Sequence, residues 1–378
     1  MNQNPIAMVD LRGGYLAQQP DIDGAIKRVM ESGWYILGQE CAAFERDFAA
    51  WCGVSHAVGV GNGTDAIVIA LRALGVGAGD AVFTVSHTAV ATVAAVELAG
   101  ATPVLVDIDP ASFTLDPQKL EDAIRAFAAS GAAGRPRAVI AVHLYGHPCD
   151  LRAIGDICRR HGVFLIEDCA QAHGAAIGGT RVGAFGDIAS FSFYPTKNLG
   201  AFGDGGAVVT NDRMLAERAA ALRQYGWKER YLSDLKGMNT RLDEIQAAML
   251  GVRLARLDTE SKTRREIADR YDAGLLAALT TPKVRAGTRH AYHLYVVRHA
   301  RRDGLAAALK TAGIGSGVHY PVPIHLQNAY AGRIAMAASG LQETERAAAE
   351  VLSLPMHPFL SDGDVARVIA EVLAWTRV

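Results

Sequence analysis

Between about residues 55 and 212, short apolar runs rich in β-branched residues alternate with segments whose apolar positions recur at helical spacing. The runs His56–Gly59, Ala81–Val85, Pro103–Ile108, Ala138–Leu144, Val163–Asp168, Ala189–Phe193 and Gly206–Thr210 are mostly continuous in their apolar character, as strands are when helices cover both faces. Segments between them, such as Ala66–Leu74 and Leu151–His161, are long enough to cross back over a sheet. The pattern therefore predicts an α/β architecture with a large, seven-stranded, mostly parallel sheet and right-handed crossovers. The run Gly206–Thr210 follows its predecessor through a glycine-rich loop, which allows an antiparallel return.

Past Asp212 the period changes. Arg241–Thr259 is amphipathic at helical spacing and the pattern resumes through Leu275, which predicts a helix running from the sheet domain to a second lobe. Beyond residue 285 come a short strand pattern (Tyr292–Arg298), a His/Pro-rich segment (Val318–His325) and alanine-rich helices. The expected division is a large domain over 1–255, including an N-terminal arm, and a smaller C-terminal α+β domain over 256–378. The first forty or so residues are poorly patterned and are expected to wrap the surface or pack on the smaller lobe. Ala123–Ala133 reads as helix and loop.

Composition narrows the class. The chain has 378 residues, half of them hydrophobic, enough for a large buried core. Lys plus Arg number 38 against 39 for Asp plus Glu, with no block of like charge, so nucleic acid has no electrostatic footprint here, although a small anion could bind locally. Five cysteines (Cys41, Cys52, Cys149, Cys158 and Cys169) without CxxC spacing suit free thiols in a reducing compartment better than disulfides or a zinc site. The N-terminus lacks a basic region followed by an apolar one, and no apolar run reaches the roughly 18 residues of a membrane span. The expectation is a soluble cytoplasmic protein with no membrane or nucleic-acid partner.

Separated segments fit one chemistry. In LIEDCAQAHGA, Asp168 stands at the carboxyl end of a buried parallel strand, where α/β sheets bind ligands. A carboxylate there can keep a pyridinium nitrogen protonated; read alone, Glu167 and Asp168 serve equally as caps of a following helix. In SFSFYPTKNLGAFGDGG, Lys197 follows a strand and precedes a run of glycines. Burial in such a loop can lower its pKa to suit Schiff-base chemistry, whereas an unselected lysine is usually a surface residue. Ser192, five residues earlier, can offer a hydroxyl to a phosphate oxygen. In VGVGNGTDAIVIALRAL a strand ends in Gly61–Thr64 and a helix begins, a place for an anion or simply a glycine-rich turn. Thr64 is the candidate N-cap.

Together, and in this order, these segments resemble the fold-type I pyridoxal phosphate (PLP) enzymes. More narrowly, the chain resembles the DegT/DnrJ/EryC1/StrS sugar aminotransferases. The likeness runs from ESGWYILGQECAAFE through GNGTDAI, ATPVLVDIDP, VHLYGHPCDL, IEDCAQAHGA, SFSFYPTKNLGAFGDGGAVVTND and GMNTRLDEIQAAML to GVHYPVPIHLQNAY. By that resemblance Lys197 is the Schiff-base lysine and proton shuttle, Asp168 the partner of the pyridine nitrogen, and Gln171 the neighbour of the ring hydroxyl. Gly63, Thr64 and Ser192 match the phosphate cup. Asn239 matches an asparagine that reaches the phosphate of a neighbouring subunit, which implies a homodimer with shared active sites. Ala89 stands where an aromatic usually stacks on the cofactor ring, so either stacking is weaker there or His87 or an aromatic from elsewhere covers that face.

For the substrate, YILG, GNGTDA and HYPVPIHLQ resemble the branch that moves an amino group from L-glutamate to C-3 of dTDP-3-keto-6-deoxyhexoses. Perosamine-type C-4 enzymes and aminocyclitol aminotransferases are the alternatives, and a PLP-fold regulator a more distant one. The deoxygenating relatives carry histidine in place of the lysine, against Lys197 here. Tyr35, His319, Tyr320 and His325 are the residues this implies around the sugar nucleotide, with Arg230, Arg241 and Lys228 as candidates for a diphosphate or donor carboxylate. The His/Pro segment also suits a rigid turn with core histidines. The spacing of His319 and His325 fits no zinc pattern, and no metal is expected.

Overall fold

The computed structural model describes residues 4–131 and 134–377. The last two residues of the Ala123–Ala133 segment and the outermost ends of the two expected domains lie outside the described residues. All seven predicted strands are present, as β1 His56–Val60, β2 Asp80–Val85, β3 Thr102–Val106, β4 Arg135–Val142, β5 Phe164–Asp168, β6 Ile188–Ser192 and β7 Gly206–Thr210. Outside them are β8 Tyr295–Arg298, β9 Ala335–Met336 and β10 Val351–Leu354. The main sheet has the order β1-β7-β6-β5-β4-β2-β3-β9. Its pairs from β6 to β9 are parallel, and β7 runs antiparallel to both β6 and β1, as the short glycine-rich connection allows. β9 adds an eighth edge strand, and two residues are too few to show a period. Every residue of β2 is buried, consistent with helices on both faces.

Helix boundaries follow capping chemistry. α1 covers Gln19–Ser32, α2 Gly63–Ala73, α3 Val90–Leu98 and α4 Leu151–His161. α4 keeps its predicted limits: Asp150 accepts from the Ala153 N–H, Arg159, Arg160 and His161 face the negative C-terminal end, and Gly162 closes it at φ 63°. α2 begins earlier than expected, because Asn62 and not Thr64 is its N-cap, its side-chain oxygen accepting from the Asp65 N–H at 2.8 Å.

The predicted long helix is two, α5 Glu244–Leu254 and α6 Leu257–Leu275. No Gly or Pro marks the break at Ala255 and Arg256. The turn lets Leu250 and Leu254 of α5 join the sheet core while Ile267, Tyr271 and Leu275 of α6 join a second core. That second core includes β8, β10, α7 Arg302–Thr311 and α8 Asp362–Thr376. The N-terminal segment divides between both expectations. Ile6 packs into the second core and bridges to Ile314, while Ala25 and Val29 of α1 pack on Ala248 of α5. Among the described residues, no helix is long and apolar enough to cross a membrane. All five cysteines are free and buried.

Candidate active site

The carboxyl ends of β4 and β5, the N-termini of α2 and α3, and the loop after β6 meet around a cavity of about 640 Å³. It is lined by Gly63, Thr64, Asp168, Gln171, Ser192 and Lys197, and by His319 and Tyr320 from the C-terminal segment. Residues more than 250 positions apart in sequence thus share one chamber, at the end of the sheet where parallel strands present ligands.

Asp168 ends β5 and is buried, its Oδ2 accepting from Thr92 Oγ1 at 3.0 Å and its Oδ1 from the Ala170 N–H at 3.1 Å. Burial pushes its carboxyl above the usual range, although these donors and Lys197 pull the other way. Lys197 sits in a turn closed by its own N–H on Tyr194 O at 2.8 Å. Burial lowers its ammonium to about 8, with Asp168 opposing the shift.

The anion end is built by close approach. A Cβ on Gly63 would lie 2.5 Å from Ser192 Cβ, so only glycine lets the start of α2 meet β6. A Cβ on Gly206 would lie 2.4 Å from Asn62 O. Asn62 caps the Asp65 N–H, which leaves the N–H groups of Gly63 and Thr64 to face the cavity they line. Thr240 ties the GMNTR loop to this turn: it accepts from the Gly61 N–H at 2.9 Å and donates to Asp65 Oδ2 at 2.6 Å.

Gln171 has a fixed polarity. Its Oε1 accepts from the Tyr145 N–H at 2.7 Å, so its Nε2 faces outward and donates to Tyr320 Oη at 3.0 Å. Tyr145 has φ 61°, and its hydroxyl joins His87 Nε2 at 2.7 Å and the His319 carbonyl, clasping the C-terminal segment to the sheet domain. Burial pushes the Tyr320 phenol up to about 12, so it remains a donor.

On the other face of β5 from Asp168, Glu167 is fully buried in a cup of donors. Oε1 accepts from the N–H groups of Phe185 and Gly186, each at 2.8 Å, and Oε2 from Gly183 N–H at 2.7 Å and His143 Nε2 at 3.1 Å. His143 Nδ1 takes the Cys149 N–H, which makes the ring neutral with its proton on Nε2. Burial alone would raise the Glu167 carboxyl, but these donors hold it below its ordinary range. His143, Glu167 and Cys169 bring ligand-type atoms within 4.8 Å of one another, yet the four donors already occupy the carboxylate.

The other expected site residues divide. Tyr35, Arg230 and Arg241 gather with Lys228 in a second, open cavity of about 760 Å³ and do not line the first. Asn239 is exposed and bridges to Gln224, also outside the first cavity. His325 lines neither: Ser86 holds its Nδ1 at 2.8 Å and Glu345 its Nε2 at 3.1 Å, so both ring nitrogens are engaged in packing the His/Pro segment. His87 is sealed against Tyr145, and burial lowers its imidazole to about 4. It does not cover the space at Ala89; the rings that line the cavity are Tyr194, His293, His319 and Tyr320. Sequence reasoning missed Asn62, Thr92, Tyr145 and His293. Only Asn62, beside the glycines, carried a local signal, as a standard N-cap residue.

Residues 17–373 match the model of the DegT/DnrJ/EryC1/StrS aminotransferase family. The chain is 47% identical over 372 residues to a dTDP-3-amino-3,4,6-trideoxy-alpha-D-glucose transaminase of Streptomyces venezuelae, covering 98% of this chain and 96% of the relative. It is 44% identical over 368 residues to a dTDP-3-amino-3,6-dideoxy-alpha-D-galactopyranose transaminase of Aneurinibacillus thermoaerophilus, covering 97% and 98%. Among solved structures it is similar to S. venezuelae DesV in complex with a ketimine intermediate, at TM-score 0.94 and 45% identity over the whole of both chains.

Proposed function

The chain belongs to the DegT/DnrJ/EryC1/StrS aminotransferase family, and from that premise we propose that it is a PLP-dependent transaminase moving an amino group from L-glutamate to C-3 of a dTDP-linked 3-keto-6-deoxyhexose. The observation that carries this is the single cavity in which Lys197, Asp168, Gln171, Ser192 and the Gly63–Thr64 turn converge with His319 and Tyr320. Two relatives named for dTDP-3-amino sugars support the position of transfer.

These residues fit PLP. The carboxyl of Asp168, raised by burial, has no ion-pair partner among the described residues, and a protonated pyridine nitrogen would supply one. The Gly63–Ser192 approach leaves a cradle that any Cβ would fill, and its free N–H groups with the Ser192 hydroxyl suit a phosphate. When bound, PLP provides an electron sink for the carbon that loses a proton. Asp168 holds the proton on the ring nitrogen. Gln171, its oxygen committed to Tyr145 and one amide hydrogen to Tyr320, has its other amide hydrogen to offer to the ring hydroxyl. Lys197 anchors the cofactor and, once released, takes the proton from the donor's α-carbon and returns one to C-3 of the sugar. An amine with a pKa near 8 is about half neutral at that pH, which suits it to both duties.

Residues 1–255 act in this proposal as the cofactor domain, and 256–378 as the smaller domain that contributes His319 and Tyr320. The protein works as a homodimer, each chain bringing Asn239, and with it Tyr35, Arg230 and Arg241, to its partner's site. The exposed aromatic and basic cavity around Tyr35 supports that assembly. In an assay of the purified protein with PLP and glutamate, the 3-keto dTDP-6-deoxyhexose is consumed and the 4-keto isomer is not. Turnover of only the 4-keto sugar would overturn the assignment.

A further inference from the structure

Among the acceptors that line the cavity without a part in the chemistry above is the ring of His293. The residue is 8% exposed and its ring lines the chamber beside Lys197. Its polarity is set by its neighbour in the loop. Asn198 Nδ2 donates to Ala291 O at 3.0 Å, and a carbonyl can only accept, so the amide oxygen of Asn198 is the atom turned to His293 Nδ1, at 3.4 Å. Nδ1 therefore carries the ring proton and Nε2 a lone pair. Burial, then the charge of Lys197, keeps the imidazole well below its ordinary pKa, so it stays neutral. Nε2 has no hydrogen-bond partner among the described residues and is not sealed in the interior, which leaves it open on the cavity. Asn198 thus anchors both the loop of Lys197 and the tautomer of His293.

Such a site selects its ligand. A lone pair fixed in a half-apolar chamber repels carboxylate and phosphate oxygens and accepts from O–H or N–H groups. Of the two substrates, glutamate offers only carboxylates apart from the amino group consumed at the reacting carbon, whereas the keto sugar offers hydroxyls. Because the ring neighbours Lys197, whose amine must reach the reacting carbon, the hydroxyl within its range is one adjacent to that carbon. We propose that His293 is a specificity-determining residue whose Nε2 accepts a hydrogen bond from a sugar hydroxyl vicinal to the carbon that receives the amino group. This rests on the sugar-transaminase function proposed above.

The two half-reactions separate the effects, followed by the cofactor's absorbance in the purified holoenzyme. In His293→Phe the glutamate half-reaction stays within about threefold of wild type, while kcat/KM for the sugar half-reaction falls roughly 10-fold or more. His293→Gln, whose amide oxygen reaches the Nε2 position, recovers most of the loss. Calorimetry reads the same order without turnover: the aminated sugar product binds the Phe variant more weakly than wild type, and the Gln variant nearly as well. Equal slowing of both half-reactions would assign the ring to Lys197 instead and overturn the proposal, as would no change in either. Failure of the wild-type enzyme to exchange with glutamate and the sugar would instead sink the function on which the proposal rests.

Discussion

Replacing Lys197 with alanine lowers transamination by roughly 10⁴-fold or more, because one side chain supplies both the covalent anchor and the acid–base group. The loss falls on both half-reactions, since the amine handles the proton at the donor carbon and at the sugar carbon. The fold survives: the Asn198–Ala291 bond and the packing of β6 do not involve the lysine amine. Stability changes in a direction that the electrostatics dictate. An amine held near 8 in the folded chain, against 10.5 ordinarily, costs stability below pH 8, where it must be protonated, and the cost fades as pH rises from 8 towards 10.5. The cofactor-free variant therefore melts no lower than cofactor-free wild type at neutral pH, while activity is gone. Half-reaction rates and thermal melts check the two arms together. A variant that retains a tenth of the activity, or that unfolds, contradicts this assignment of the lysine.

Glu167→Gln destabilises the protein by about 3 kcal/mol or more without touching the cavity. The carboxylate offers two acceptors to four donors in a fully buried cup. An amide must turn its NH₂ either on the Phe185 and Gly186 N–H groups or on Gly183 and the His143 proton, so donors meet donors whichever way it lies. The pH dependence has a definite sign. A carboxyl held below its ordinary range contributes stability that is present above that range and lost as pH falls through the folded value. The stability of Glu167→Gln is accordingly lower at neutral pH and changes less between pH 7 and pH 3 than that of wild type. Denaturant melts at a series of pH values measure both. Unchanged neutral-pH stability would mean that the cup is not the anion-holding element described.

Much of the fold was legible because continuous apolar runs identify doubly covered strands, and all seven are strands of the main sheet, with bounds shifted by a few residues. Legibility failed where the cause was tertiary. The break between α5 and α6 carries no Gly or Pro, since it exists to serve two cores at once. β9 is too short for a period. In the site, Lys197, Asp168 and Gly63 stood out because each combines an unusual residue with a strand end. Thr92, Tyr145 and His293 did not, because their importance lies in what they touch across the chain: Thr92 on Asp168, Tyr145 on Gln171 and His319, His293 on Asn198. The same limit misplaced His325, whose ring nitrogens are engaged by Ser86 and Glu345, and His87, whose Nε2 is held by Tyr145 in the interior rather than by the cavity.

The central claim is that Lys197 is the amine that holds the cofactor. Borohydride reduction of the PLP-loaded protein, followed by peptide mass spectrometry, tests it directly. The account predicts a phosphopyridoxyl group on the peptide containing Lys197, absent when saturating glutamate is added before reduction. Label on other lysines with Lys197 unmodified, or label on Lys197 that glutamate does not remove, would contradict it.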